Sequence, residues 1–266
     1  MSDALPGPRL WVLGAGAILP RAGYGCAGYA LEPSAGGPLT LLDCGPGSVR
    51  MLGACELAPE RVERVVISHF HTDHWLDLFA LYFARRNPTR AWPELEVIGP
   101  VGLRARVEAA RGVLGAYAVD ERARVTEVEL DARGRASLRR GDLEFECVRT
   151  LHAPEALAWR VELGAPDGGR ASVAYSGDTG ENPAVADLAA AADLFVCECS
   201  FPDAEPTEHH LTPSSAARLA ARARPRRLLL SHFYPHNDPA RARELASRTF
   251  EGAIDCARDG SLHALR

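Results

Sequence analysis

The chain contains no lysine. All 30 basic residues are arginine, set against 35 acidic residues, for a formal charge of −5. A net negative chain argues against a general nucleic-acid coat, while a local basic face remains compatible with it. The missing lysine reads as a coding bias and carries no functional conclusion. Cysteine is sparse in pattern rather than number. The seven are scattered, the count is odd and no Cys-x-x-Cys pair occurs, so neither a disulfide framework nor a zinc ribbon is expected. Met1 to Arg9 lacks a cationic start followed by an apolar core, so no signal peptide is expected. No apolar run reaches the ~18 residues that a membrane helix requires. These absences lead to the expectation of a cytoplasmic protein with no membrane partner. Histidine is scarce too, nine in 266 residues, yet three of the nine fall in a single turn.

That turn is Ser68-His69-Phe70-His71-Thr72-Asp73-His74. It follows Val65-Val66-Ile67, a buried-strand pattern, and precedes a helical pattern over 75–86. Strand, short turn and helix place the polar cluster at a strand's C-terminal end, where open α/β sheets hold their ligands. His69 and His71 can turn their rings toward one centre. Asp73 suits a helix N-cap, and His74 sits in the first helical turn. The turn spreads the four too widely for one ion but not for two adjacent ions.

Other strand ends repeat the device. Asp43 closes the apolar strand that begins at Pro38, before a tight turn to Gly47. A buried carboxylate there needs a partner, so it either holds a metal-binding histidine by its other nitrogen or shapes the turn. His152 lies just past a strand over 143–150. Asp178 ends the strand that begins at Ala171, and its two oxygens can bridge two ions. His232 follows the apolar strand that begins at Arg227. His210 lies at the mouth of a helix that Thr212 and Pro213 open as N-cap and first position. The count gives His69, His71 and His152 for one ion, Asp73, His74 and His232 for a second, and Asp178 between them. Imidazole and carboxylate in this mixture suit zinc, with manganese or iron as alternatives. Two such ions lower the pKa of a bound water to about 7. The resulting hydroxide can attack a phosphorus or carbonyl centre. Asp73 would orient it, and His210 would donate a proton to the leaving oxygen or clamp the transition state.

The remaining segments are plainer. The glycine-rich stretch 14–25 is not a dinucleotide fingerprint, because no helix pattern follows it; it is either a hairpin connection or a loop that approaches phosphate. Cys197 and Cys199 read as core residues. Arg222, Arg224, Arg226 and Arg227 read as a solvated face, 131–141 as a surface turn, 164–169 as a turn, and the tail as a helix followed by a strand over 261–265. No long linker or repeat divides the chain, so one domain over 1–266 is expected. Each half runs from hairpin strands to βα units. That doubling suggests two sheets packed face to face with helices outside.

His69-x-His71-x-Asp73-His74, then His152, Ser176-Gly177-Asp178-Thr179 and His232, resemble the metallo-β-lactamase superfamily over nearly the whole chain. The resemblance implies an αββα sandwich, α/β in class with two mixed sheets flanked by helices, and a two-ion site. Leu42-Asp43-Cys44-Gly45, His210-Leu211-Thr212 and the position of His232 most resemble the ribonuclease Z-like phosphodiesterase branch, in which the histidine matching His210 assists phosphodiester cleavage. There is no glycine- and proline-rich insertion like the tRNA-gripping arm of the tRNA-processing enzymes. Phe233-Tyr234-Pro235 stands where those enzymes usually carry a serine and an Arg-Tyr pair. Both departures favour the smaller relatives that resemble cyclic-nucleotide phosphodiesterases. The expected function is a metal-dependent phosphodiesterase acting on a cyclic nucleotide or an RNA 3′ end, possible as a homodimer. The alternative is a hydrolase of a lactam, lactone or thioester on the same metals.

Overall fold

The computed structural model describes residues 7–164 and 169–265. Met1 to Pro6, where a signal peptide was not expected, and most of the turn expected over 164–169 lie outside them. Two seven-stranded sheets make the framework. The first contains β1 (Arg9–Gly14), β2 (Gly28–Glu32), β3 (Leu39–Cys44), β4 (Val62–Val66), β5 (Glu96–Pro100) and β6 (Arg124–Val128). The second contains β7 (Arg135–Arg140), β8 (Leu143–Arg149), β9 (Leu157–Gly164), β10 (Arg170–Tyr175), β11 (Leu194–Glu198), β12 (Arg227–Ser231) and β13 (Ala253–Cys256). The last strand, β14 (Leu262–Ala264), crosses back to pair with β1. Orders are β14-β1-β2-β3-β4-β5-β6 and β13-β12-β11-β10-β9-β8-β7.

The expected doubling is present in the pairing. In each sheet three neighbouring pairs are antiparallel and three are parallel. The change falls at β3 in the first sheet and at β10 in the second. Parallel strands need crossover helices, so both faces of that half are covered. This is why β3, β5 and β11 are buried at every position. Helices α1 (Ser48–Ala54), α2 (Thr72–Trp75), α3 (Asp77–Ala84) and α4 (Leu103–Leu114) cover the first sheet; α5 (Pro183–Leu188), α6 (Pro213–Ala223) and α7 (Pro239–Ala246) cover the second. Between the sheets lies a core that includes Leu10, Tyr29, Phe145 and Trp159. The αββα sandwich of two mixed sheets is therefore the observed fold. Among the described residues no helix is long and apolar enough to cross a membrane.

Four local readings need correction. The helical pattern over 75–86 is broken at Leu76 into α2 and α3. The stretch read as surface turn contains β7, an edge strand whose side chains alternate between exposed and half-buried; its arginines disguise a period of two. The tail holds β13 as well as its helix and last strand. The short helix α5, capped by Asn182 and started by Pro183, went unread.

Candidate metal centre

β4 delivers the chain into the histidine turn. The turn is pinned from three sides: Ile67 N–H donates to Ile98 O at 2.8 Å, Leu157 N–H donates to Ser68 O at 3.0 Å, and the buried Trp159 donates Nε1–H to Ile67 O at 3.2 Å. These bonds tie the turn to β5, β9 and the inter-sheet core together. Close packing of backbone finishes the placement. A Cβ on Gly45 would lie 1.9 Å from Asp73 O, and one on Gly180 would lie 1.9 Å from Glu208 O. Only glycine fits at either point. Each glycine follows a strand-end aspartate by two residues and lets a ligand-bearing loop close on the sheet edge.

The seven residues expected to hold metal converge. His69, His71, His152 and Asp178 form one group, and Asp73, His74 and His232 form another. Asp178 stands between them. Its Oδ2 lies 3.8 Å from His69 Nε2 and 3.7 Å from His152 Nε2; its Oδ1 lies 3.4 Å from His74 Nε2 and 3.5 Å from His232 Nε2. Asp73 Oδ2 adds contacts of 3.5 Å to His232 and 3.8 Å to His74. His71 Nδ1 is 3.0 Å from His152 Nε2. Asp73 is not the N-cap that was expected. His71 holds the cap position of α2, and the Asp73 carboxylate is turned toward the other histidines.

Hydrogen bonds decide which nitrogen each ring presents. The Asp43 carboxylate accepts four bonds, all at 2.7 Å, from Ser68 N–H, Ser68 Oγ, His74 Nδ1 and Tyr175 OH. His74 therefore carries its proton on Nδ1 and leaves Nε2 bare. Ser68 has spent its one hydroxyl proton on Asp43, so it accepts from His69 Nδ1 at 3.0 Å. That too leaves Nε2 bare. In the second sheet Ser200 Oγ donates to Glu198 at 2.5 Å and accepts from His232 Nδ1 at 2.9 Å. His152 Nδ1 donates to His209 O at 3.1 Å. Four rings thus aim unprotonated Nε2 atoms at one small space. Three of these atoms, on His69, His74 and His232, and Asp178 Oδ1 are buried without any hydrogen-bond partner. Buried polar atoms left unpaired are costly unless something binds them. Divalent metal fits this donor set.

The charges agree. Burial first, then the neighbouring His74, pushes His69 well below its ordinary pKa, so its ring is neutral, the metal-binding form. Burial would raise Asp178, but His232 and His74 outweigh it and hold the carboxyl well below the usual range. Burial would lower His74, but Asp178 and Asp43 hold it well above its ordinary value, because two carboxylates favour positive charge at this ring, whether a proton on Nε2 or a cation in that proton's place.

Asp43 meets the His74 ring at Nδ1, 2.7 Å away. It does so with φ +57°, a strained conformation that the sequence does not display. Glu198 plays the same part in the second sheet and was missed. It accepts from Thr179 N–H at 2.6 Å and Leu211 N–H at 3.1 Å, and meets His210 Nδ1 at 3.1 Å. The signal was present, since an acidic residue ends an apolar strand there as at Asp43, but its two flanking cysteines drew the reading. Those cysteines are buried core, as expected. Thr212 caps α6 with Ser215 in a reciprocal capping box, which fixes His210 at the helix mouth. Burial would lower the His210 pKa, but the Glu198 carboxylate raises it to about 9. Its Nε2 has no hydrogen-bond partner among the described residues.

A donor cluster at one edge of a two-sheet sandwich defines a class, the metal-binding hydrolase folds. The domain model described as "Beta-lactamase superfamily domain" matches residues 40–233, and the chain belongs to that superfamily. It is 32% identical over 257 residues to an uncharacterized protein of Mycobacterium leprae, covering 95% of this chain and 87% of that one. It is 28% identical over 300 residues to ribonuclease Z of Myxococcus xanthus, covering 95% and 96%. Among solved structures, the metallo-beta-lactamase fold protein YhfI of Bacillus subtilis superposes with a TM-score of 0.81 at 22% identity, over 96% of this chain and 99% of that one.

Proposed function

We propose that this protein is a metal-dependent phosphodiesterase acting on a cyclic nucleotide or an RNA 3′ end. In this reading His69, His71 and His152 would hold one ion, Asp73, His74 and His232 would hold the other, and Asp178 would serve both. Nitrogen and carboxylate donors of this kind suit zinc. When bound, the ions supply Lewis acidity and a water acidic enough to ionise near neutral pH.

The protein's own groups then divide the work. Asp73, buried among the ligand set, would orient the attacking water. His210 stands over the same space, with Nδ1 held by Glu198 and Nε2 free. A pKa of about 9 keeps the ring protonated at neutral pH, so it can give a proton to the departing oxygen. A phosphodiester needs that proton, because an alkoxide is a poor leaving group. His210 with its carboxylate support is the observation that carries the reading. The similarity to ribonuclease Z of Myxococcus xanthus supports it.

The test is a panel of bis-p-nitrophenyl phosphate, nitrocefin and an acyl thioester, run with the wild type and His210→Ala. The expected result is turnover of the phosphodiester, lowered in the variant with its metal content intact. Preferential turnover of nitrocefin or the thioester, unaffected by the substitution, would establish the carbonyl-ester alternative instead.

A further inference from the structure

The rim beside His210 carries two large aromatic side chains that the core does not use. Phe201 follows the end of β11, and Tyr234 follows the end of β12. Their rings stack nearly parallel, with centroids 4.8 Å apart and planes 19° apart. Both are half-buried, and neither belongs to or packs against any of the three apolar clusters. Aromatic side chains carry a large apolar area and are ordinarily spent in a core. Here they pack on each other and on histidines. Phe201 is 5.5 Å from the His210 ring and 5.5 Å from His236; Tyr234 is 6.3 Å from His210 and 6.1 Å from His232.

The backbone beneath this pair is fixed. Tyr234 N–H donates to Ser200 O at 3.3 Å, and Phe201 N–H donates to Leu211 O at 3.2 Å. The buried Asn237 donates its own N–H to Tyr234 O at 3.0 Å and its side-chain amide to Cys199 O at 2.8 Å. The pair is therefore a preformed surface, and it adjoins the ring that the proposed function makes the proton donor. Whatever leaves the phosphorus on that side emerges against it.

We infer that the Phe201–Tyr234 pair is a stacking shelf for the nucleobase of the substrate, on the leaving-group side of the reacting phosphate. The inference rests on the phosphodiesterase reading and narrows it to base-bearing phosphodiesters. A flat π-face accepts any base with little sequence preference, as stacking platforms for single strands do. Exposed His236, 3.5 Å from Glu205, supplies polar groups at the margin for the base edge.

Binding to the zinc-loaded protein, measured by calorimetry, separates the shelf from the metal site. The two probes are AMP and ribose 5-phosphate, which share the phosphate and sugar and differ in the base. The wild type should bind AMP more tightly by about tenfold, within the range a single base stack provides. In Tyr234→Ala and Phe201→Ala that ratio should fall to about twofold or less, whereas Tyr234→Phe should retain it. Tyr234→Leu keeps the bulk and loses the π-face, and it should behave like Tyr234→Ala; zinc content checks that each variant is folded. If the ratio is unchanged in the alanine variants, or if Tyr234→Leu preserves it, the shelf is refuted while the phosphodiesterase reading stands. If neither probe binds and no phosphodiester is turned over, both fall together.

Discussion

Asp43 and Glu198 do comparable work in the two sheets, and their surroundings differ in how far they are enclosed. Each is a buried carboxylate at the end of a central strand. Each holds a serine that orients one histidine, Ser68 for His69 and Ser200 for His232, and each contacts a second histidine directly, His74 or His210. Around Asp43 the enclosure is complete. Its fourth bond comes from Tyr175, and His74 is 0% exposed. Around Glu198 the remaining bonds come from backbone N–H groups, and the His210 side chain is 15% exposed at the mouth. One local device thus serves two ends. Where it is sealed it walls in the histidine cluster, and where it is open it presents a ring to solvent.

The largest effect should come from breaking the sealed member. Asp43→Ala leaves four buried donors unpaired at once, so a loss of about 3–5 kcal/mol in unfolding free energy is expected, with weakened metal binding. Chemical denaturation with metal analysis checks both; a stable variant of full metal content would remove the distinction between the two sites. In the open member, His210→Ala should lower phosphodiester turnover by about 10²–10⁴-fold, the usual worth of a general acid. Its denaturation midpoint should stay close to that of the wild type.

A third buried carboxylate sharpens the contrast. Glu32 lies at the opposite end of β2 from the site, where it meets Arg9, Trp11 and Arg61. Burial would raise its pKa, but these donors hold it at about 2 against an ordinary 4.5. A depressed folded pKa gives stability that is present above about 4.5 and lost as pH falls toward 2. Glu32→Gln should cost about 2–3 kcal/mol at neutral pH, a deficit that shrinks through that window, and metal content should not change. Denaturation at several pH values measures this; a pH-independent deficit would exclude the linkage. The smallest effects belong to the serines. Ser68→Ala and Ser200→Ala should each weaken metal binding by about tenfold, equally if the two halves are equivalent in this respect. Competition with a chelator reads the difference.

Much of the site was legible because its chemistry is local. His69, His71, Asp73 and His74 share one turn, and His152, Asp178 and His232 each follow an apolar strand, so strand periodicity alone puts them on one edge. The two-layer sandwich was legible from the repeated order of hairpins and βα units. What escaped depends on partners distant in the chain. Glu198 differs from any strand-end acid through Thr179, Ser200, His210 and Leu211. The φ of Asp43 is set by what closes over it, and Asp73 looks like a helix cap until His232 arrives. β7 was lost because an edge strand rich in arginine has the composition of a loop.

The pair of glycines at 45 and 180 sets a limit on anyone who redesigns this protein. Both turns are already in backbone contact with the loops they face, so no side chain can be introduced there without moving a ligand. Substrate range can therefore be altered from the rim inward, at Phe201, Tyr234 and their neighbours, whereas the floor admits only repair. A library that randomised the floor would return mostly inactive clones, and one confined to the rim would keep the chemistry while changing what it acts upon.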